Sequence, residues 1–497
     1  MATRKPRVAL YGHEIVGGDL SPYVTSLDVL NQLRRPWSTI NASLAIPVAK
    51  WQSLLPQPGD WLVVYDDDGY SIAMGYVDSV RTGLRAGNDG EHQTEQVNVS
   101  TISWLELLGR TRVVVAFAWQ TESVGTLYRG SDWYQQWKTL IGASKGDLGE
   151  ALESSLTALA AVRFPRKIGG GRRIGDAVSV VHSQYTSDVL AGGAYSVEPV
   201  HGLSLRGLSA PWQDSTVLDL LLHTFQADDS MVEMFPAFGA RTGLRVEERE
   251  WSSVDPDAVI MEPILVYRLR PWLAGPLGGV NARAMEVGQR PTWPEPIKAP
   301  EQHRISIQWS DGNRSNVATA DIPNAGQPVI KWWEAAAVPV ADRKGIMQHG
   351  LRVLDVKWPF YPPPDQQMRS EGTIVKSISA IAELAATLHL RGERFASGSC
   401  TGPYLTAVRP GQSFVTPIER APWDGSLTAY AESVKHRWQV KPGGAIHVET
   451  EIGYTRGLLY EGARHAEITS TKIKVPVSGL HEPSRPVAPG DERKGFA

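Results

Sequence analysis

Short alternating runs of apolar and polar residues dominate the first 110 positions. Residues 97–100, Val-Asn-Val-Ser, alternate as a half-buried strand does. Two apolar runs, Trp61 to Tyr65 and 72–80, are separated by the acidic turn Asp67-Asp68-Gly69, in which glycine supplies a positive φ. The pattern predicts an antiparallel β unit over residues 1–110. It favours a hairpin tip at 66–68 over a calcium site, which needs a longer run of alternating oxygen ligands.

Helical spacing of apolar residues appears next, in residues 111–230. The spacing predicts helices over 131–141, 149–164 and 213–225, with the last capped by Asp214 or Ser215. Its apolar stripe consists of Val217, Leu218, Leu221, Leu222 and Phe225. We therefore expect 111–230 to be a mixed helical insertion beside the β unit.

Strand patterns return from residue 231 onward. Residues 231–295 contain two apolar runs and read as return strands that complete the first half, ending in a Pro-rich edge. Residues 296–475 read as a second β unit, with an inserted helix at 372–390, and 476–497 as a Pro-rich tether. The strands predicted in the second unit cover 303–309, 405–408, 414–415, 430–438 and 446–452.

Composition supports many short strands and excludes several classes of protein. The 497 residues include 47 Gly and 34 Pro, and such turn-forming residues favour short strands over long helices. The formal charge of −3 argues against reading the whole molecule as a polyanion binder. The single cysteine, Cys400, excludes a disulfide framework and a Cys-based zinc site. The first residues lack an apolar run, so we expect a soluble protein without a signal peptide.

No motif in the sequence indicates catalysis. Residues 142–146 lack P-loop spacing, 169–175 lack the flanking strand and helix of a dinucleotide site, and 398–402 lack the nucleophile-elbow spacing. Cys400 is better explained as a small buried hydrophobe than as a nucleophile. The 17 tryptophans are dispersed or lie beside prolines, which favours packing over stacking on sugars or bases. We assign no catalytic, cofactor-binding or metal-binding residue, and no cofactor.

The order of segments resembles the baseplate hub or tail hub proteins of tailed bacteriophages, which are related to the base of type VI secretion spike proteins. His349-Gly350-Leu351-Arg352 resembles a Tyr-Gly-Leu-Arg element of that family, with His in place of Tyr. Arg409-Pro410-Gly411-Gln412 resembles its Arg-x-Gly-Asp strand start, with Gln412 at the acidic position, and Thr455-Arg456-Gly457 resembles its closing element. The other resembling segments, in chain order, are 18–24, 44–47, 58–61, 234–235, 264–272, 303–309, 315–317 and 430–438.

The resemblance implies a fold and a role that composition does not provide. It implies a mainly β, α+β chain with two tube-type antiparallel β-barrel domains, a mixed α/β insertion and peripheral helices. Three such chains would form a pseudo-sixfold ring, a structural and non-enzymatic baseplate hub through which DNA passes during ejection. The implied partners are two further copies of the chain, the tail tube or distal tail protein, the central spike or fibre, other baseplate proteins and the tape measure protein. The implied location is the virion tail, assembled in the host cytoplasm.

Two alternatives remain open at this point. A peptidoglycan- or carbohydrate-active tail enzyme would explain a β-rich, Trp-rich chain, although residues 111–230 show no convincing pair of catalytic carboxylates. The hub portion of a contractile secretion spike would require a C-terminal needle repeat, and no such repeat is visible in the sequence.

Overall fold

The computed structural model describes residues 6–12, 18–66, 69, 71–83, 94–110, 162–165, 174, 216, 218, 232–238, 263–269, 296–310, 312, 315–324, 327–330, 339–357, 382, 386, 389–390, 395–420, 423–441 and 443–461. Within these ranges the chain is mainly β, and the predicted fold class is confirmed at that level. The helix predicted over 131–141, residues 149–161 of the helix predicted over 149–164, most of 213–225, and the tail 476–497 lie outside the described residues. Residues 162–164 are described and are not helical, so the predicted helix does not reach that far. Ala382, Ala386 and His389 are helical, inside the helix predicted at 372–390.

Seven strands from the first 110 residues form the first unit, where the sequence predicts a β unit. They are β1 (Arg7–Tyr11), β2 (Gly18–Asp19), β3 (Val24–Gln32), β4 (Ser38–Pro47), β5 (Trp61–Tyr65), β6 (Ser71–Thr82) and β7 (Thr94–Ile102). They are ordered β3-β4-β7-β6-β5-β1-β2, and each neighbouring pair is antiparallel. Short helices cover Ser21–Tyr23, Val48–Lys50, α1 (Trp51–Leu54) and Trp104–Arg110.

Alternating side chains build the core of the first unit. Along β4, Ile40, Ala42, Leu44 and Ile46 are buried, whereas the residues between them are partly or fully exposed. Because successive side chains of a strand point to opposite faces, one face of the sheet is apolar and the other polar.

A second group of strands follows residue 231. β8 (Val232–Phe238) and β9 (Pro263–Leu269) pair only with each other among the described strands. Assignment of 231–295 to the first unit stays a prediction. After β10 (Ile297–Lys298) and β11 (Arg304–Gln308), a small sheet contains β12 (Val317–Asn324), β13 (Gln327–Ile330), β14 (Val340–Ala341) and β15 (Val353–Lys357).

The turn at 349–352 is held by a helix end and an asparagine. Helix α2 (Arg343–His349) begins at Asp342, whose carboxylate accepts the Gly345 N–H, and ends at Gly350, whose φ of +76° suits glycine. Asn316 donates to the Gly350 carbonyl at 2.6 Å and accepts the Arg352 N–H at 2.8 Å. This side chain therefore fixes the segment that carries the His-Gly-Leu-Arg resemblance.

The last strands form the second unit. They are β16 (Ala396–Gly402), β17 (Ser413–Arg420), β18 (Trp423–Val440) and β19 (Ile446–Glu461). With β11 they are ordered β11-β16-β19-β18-β17, and β10 lies parallel to β17. The strand predicted at 405–408 is wrong: these residues form a loop, in which the Leu405 N–H donates to the side-chain Oγ1 of Thr450 at 3.0 Å and not to a backbone carbonyl of a neighbouring strand.

The two units repeat one strand order. β3-β4-β7-β6-β5 in the first unit matches β11-β16-β19-β18-β17 in the second, and in both the third and fourth strands along the chain form a hairpin. Each unit has its own buried core. Closure of either unit into a barrel stays a prediction, because no pairing among the described strands closes one.

Candidate functional site

Both units begin their hairpin with the same hydrogen-bonded turn. In the first unit, the Gly59 N–H donates to the Val77 carbonyl at 3.0 Å, and the Val77 N–H donates to the Asp60 carbonyl at 2.8 Å. In the second, Gly411 and Gln412 make the corresponding two bonds with Ala431, at 2.8 and 2.9 Å. The two turns are therefore equivalent atom by atom in these bonds.

The side chain after the glycine has the same role in both turns. Asp60 Oδ2 accepts the N–H of Gln57 at 2.8 Å, and Gln412 Oε1 accepts the N–H of Arg409 at 2.9 Å. The acceptor is a carboxylate in one case and an amide in the other. The departure from the family pattern at Gln412 therefore preserves the bond that an acidic side chain makes in the first unit.

A bulge after each turn fixes the residue-by-residue equivalence. The β6–β7 register shifts between Val77 and Ser79, and the β18–β19 register shifts at the corresponding place, between Ala431 and Ser433, after an earlier shift between Thr428 and Tyr430. A bulge inserts one extra residue at a defined point of a strand, so it marks the alignment of the two hairpins. Val80 of the first unit thus corresponds to Val434 of the second.

Strand β18 joins the two units into one sheet. Its first half pairs with β17, and residues 433–439 pair antiparallel with residues 26–32 of β3 on the same edge. Within the described residues this junction makes a sheet of thirteen strands. Trp438 of β18 packs in the core of the first unit, so the junction also has a hydrophobic component.

A buried histidine lies at the centre of this junction. His436 is fully buried, its Nδ1 lies 3.0 Å from Thr450 Oγ1, and its ring contacts Tyr404 and Trp438. Burial, with a smaller contribution from the charge of Arg409, lowers the pKa of His436 to about 3. The imidazole is therefore neutral near pH 7 and acts as a packed aromatic group.

A second buried contact crosses between the units. Arg409, in the turn before β17, has Nη2 at 4.0 Å from Oδ2 of Asp66, which follows β5. Both side chains are almost fully buried. Asp66 is therefore not part of an exposed hairpin tip, as the sequence suggested, but a carboxylate that faces an arginine of the other unit.

The face of the joined sheet turned away from the cores is polar. Ser43 Oγ donates to Asn98 at 2.7 Å and Ser100 Oγ to Asn41 at 3.0 Å, so neighbouring strands bond across this face. Residues that lie opposite one another on successive strands form rows across the sheet. One such row on this face consists of Arg304, Thr401, Glu451, Lys435, Leu30 and Thr39.

In the middle of this face, positively charged side chains lie close to carboxylates. Arg437 lies 2.9 Å from Glu449, 3.2 Å from Glu451 and 4.0 Å from Asp28. Its hydrogen bond with Glu449 raises the pKa of Arg437 and lowers that of Glu449. The face therefore presents mixed charges and hydroxyl or amide groups rather than one strong sign.

Cys400 has the structural place that the sequence predicts. Its side chain is fully buried in the second core, and burial raises the pKa of the thiol to about 12. A protonated, enclosed thiol is a poor nucleophile. Among the described residues, no cluster of three or more His, Cys, Asp or Glu side chains is arranged to hold a metal, and no helix is long and apolar enough to cross a bilayer.

Comparison with solved structures finds tail proteins. The chain is similar to a 43 kDa tail protein of a Shewanella oneidensis prophage (TM-score 0.39, 12% identity, 91% of this chain and 98% of the other). It is also similar to a tail protein of Neisseria meningitidis (TM-score 0.38, 11% identity, 91% and 96%). A component of the E. coli type VI secretion system gives a TM-score of 0.29 at 9% identity, over 88% of this chain and 74% of the other.

These proteins belong to the classes that the sequence resemblance names, phage tail proteins and type VI secretion spike relatives. No protein-family model and no curated protein sequence matches the chain. Each TM-score is below 0.5.

Proposed function

We propose that this protein is a structural, non-enzymatic baseplate hub of a phage tail, three copies of which form a ring of six similar units. The ring would join the tail tube to the central spike or fibre in the virion. The observation that carries the proposal is the repeated unit, with one strand order, one turn and one bulge position in both halves of the chain.

The repeat suits a junction between objects of different symmetry. A trimer of a chain with two similar units presents six similar surfaces, so it can meet a sixfold tube on one side and a threefold spike on the other. A chain with a single unit would need six copies, and that ring would offer six identical sites to a spike of three chains.

The polar face of the joined sheet supports a role in DNA passage. If that face lines the ring, DNA meets serine, threonine and asparagine side chains and Arg437, which already lies against three carboxylates. Tight DNA binding needs cationic groups that can replace counterions at the phosphates. A lining of mixed charges would therefore allow DNA to pass without retaining it.

The enzyme alternative has less support from the described residues. Burial, hydrogen bonds and ion pairs explain their shifted pKa values, and the groups lie in three separate places: at the junction, in the second core, and at the Tyr65–Tyr11 pair of the first unit. We therefore propose a structural role, with the other copies, the tail tube and the spike as its partners.

Native mass spectrometry of the purified chain tests the proposed assembly. The expected mass is about 163 kDa, three times the 54.4 kDa of one chain. A chain that stays at the mass of one copy at micromolar concentration, or that forms only dimers, contradicts the proposal. Clearing of peptidoglycan in a zymogram by the same sample would support the enzyme alternative instead.

A further inference from the structure

We infer that residues 79–82 of β6 pair antiparallel with residues 307–310, at the end of β11, of a second copy of this chain. The inference rests on the proposed ring and specifies the contact that would hold it. In this contact the β18–β3 junction inside one chain has an equivalent between two chains.

The pairing registers show which residues of β11 in the second unit correspond to which residues of β3 in the first unit. In the first unit one row runs Val80–Val99–Ala42–Leu27, in strands β6, β7, β4 and β3. In the second the matching row runs Val434–Ile452–Cys400–Ile305, in β18, β19, β16 and β11. Since the bulges make Val80 equivalent to Val434, Leu27 is equivalent to Ile305.

The junction within the chain then gives the register between chains. Inside one chain Ser433 lies opposite Gln32, Val434 opposite Asn31, Lys435 opposite Leu30 and His436 opposite Val29. Replacing each residue by its equivalent places four residues of one copy opposite four of the next: Ser79 with Ser310, Val80 with Trp309, Arg81 with Gln308, and Thr82 with Ile307.

The two edges are available in the described part of the chain. β6 pairs with β5 only up to Tyr76, and β11 pairs only with β16, so among the described strands neither edge has a partner there. A strand edge without a partner is a template for pairing with another chain. The two edges differ, so the contact is head-to-tail and can close a ring.

Three of the four opposed pairs match in polarity, and the fourth places Thr82 opposite Ile307. Trp309 is 49% exposed although it follows β11 on the side of Ile305 and Ile307, which pack against the second core. The proposed partner across the boundary is Val80, which packs against the first core. Arg81 would lie opposite the uncharged Gln308, so no like charges oppose each other. The contact would therefore bury part of the exposed surface of Trp309.

Disulfide cross-linking of the full chain tests the register. The double variant Arg81→Cys, Gln308→Cys places cysteines directly opposite each other across the proposed boundary, and native Cys400 is buried. On oxidation we expect covalent dimers and trimers on a non-reducing gel. The matched control, Leu30→Cys with Lys435→Cys, occupies the equivalent pair inside one chain and is expected to give only an intrachain disulfide.

A second control separates the correct register from a slipped one. In Ser79→Cys, Gln308→Cys the cysteines are displaced by two residues, and we expect at least a tenfold lower yield of cross-linked chains. Equal or higher yield from the displaced pair overturns the proposed register. If the intrachain control does not form its disulfide, the β18–β3 pairing from which the register between chains was derived is overturned.

Mass measurement on the same variants separates the failure of this inference from the failure of the proposed function. A trimer by mass that gives no interchain disulfide, while the intrachain control does, overturns the strand contact and leaves the ring standing. A chain that is monomeric by mass and gives no interchain disulfide overturns both.

Substitution of the exposed tryptophan is an independent test. Trp309→Glu introduces a charge into the proposed contact, and we expect at least a tenfold rise in the dissociation constant of the assembly with an unchanged far-ultraviolet circular dichroism spectrum. Met347→Glu, at an apolar residue that is 89% exposed on α2, is the matched control and should leave assembly unchanged. Equal effects of the two variants would overturn the contact.

Discussion

Gln412 and Asp60 show how two different side chains hold one backbone turn. Each accepts the N–H of the residue three positions earlier, at 2.9 and 2.8 Å. From the sequence alone Gln412 is a departure from a family pattern, because the pattern records residue types and not the bond that they make. The oxygen acceptor is common to both residues, and it is what the turn requires.

Removing this acceptor should destabilise the second unit. Gln412 is buried, so in Gln412→Ala the Arg409 N–H loses its partner in a place that water reaches poorly, and we expect the free energy of unfolding to fall by about 1–3 kcal/mol. Gln439→Ala, at an exposed position of β18, should change it by less than about 0.5 kcal/mol. Denaturant unfolding measures both, and equal effects would show that the bond does not hold the turn.

Buried His436 should make stability depend on pH. Its pKa is about 3 in the folded chain and about 6.5 when unfolded, so below pH 6.5 the unfolded chain takes up a proton that the folded chain does not. Stability should therefore fall as the pH decreases from about 6.5 towards 3, by up to about 1.4 kcal/mol per pH unit from this group. His436→Gln should remove that part of the slope in urea unfolding series at pH 7, 6, 5 and 4.

The comparison for this series is Gln439→Ala, which changes an exposed residue of β18 that does not titrate. We expect it to keep the pH slope of the unmodified chain. Identical slopes for all three proteins would contradict a neutral, buried imidazole at the junction.

At the scale of elements, the sequence predicts strands where turn residues and alternation agree. The β5–β6 hairpin follows from Pro58-Gly59-Asp60 and from the acidic turn after Tyr65, and both hairpin strands are found there. β16 could not be predicted, because Ala396–Gly402 has few β-branched residues. Its neighbours β11 and β19 hold it in place, and a Cβ atom at Gly398 would overlap the Ser306 carbonyl oxygen.

β18 extends well beyond its predicted range of 430–438. It runs from Trp423 to Val440 because three strands, β17, β19 and β3, pair along its two edges. The pairing with β3 joins residues about 400 positions apart in the chain, and a local sequence pattern carries no information about such a partner.

Arg437 of β18 lies among three carboxylates of β3 and β19, so reversing its charge should change Tm by an amount that depends on the salt concentration. Arg437→Glu would place a fourth carboxylate beside Asp28, Glu449 and Glu451, so we expect Tm to fall by about 2–5 °C at low salt. Screening at 0.5 M NaCl should recover much of this loss. Gln439→Glu, opposite Ser26 and His447, should lower Tm less, and a loss that is the same at both salt concentrations would contradict an electrostatic cause.

At the scale of the whole molecule, the repeat was predictable only in outline. Turn signals and the resemblance led to two β units, but the two copies share little sequence beyond a Pro-Gly pair at 58–59 and 410–411. Their equivalence is carried by backbone hydrogen bonds, a bulge and strand order, which many sequences satisfy. The buried Asp66–Arg409 contact between the units likewise follows from the packing and not from either local sequence.

The central claim is that this chain doubles one unit so that three copies imitate a hexamer. Class averages and a reconstruction of the purified assembly by electron cryo-microscopy test it most directly. The account predicts a closed ring of three chains in which the two units of each chain are related by a rotation near 60° about the ring axis. A ring with a different number of chains, or two units related by a rotation far from that angle, would contradict it.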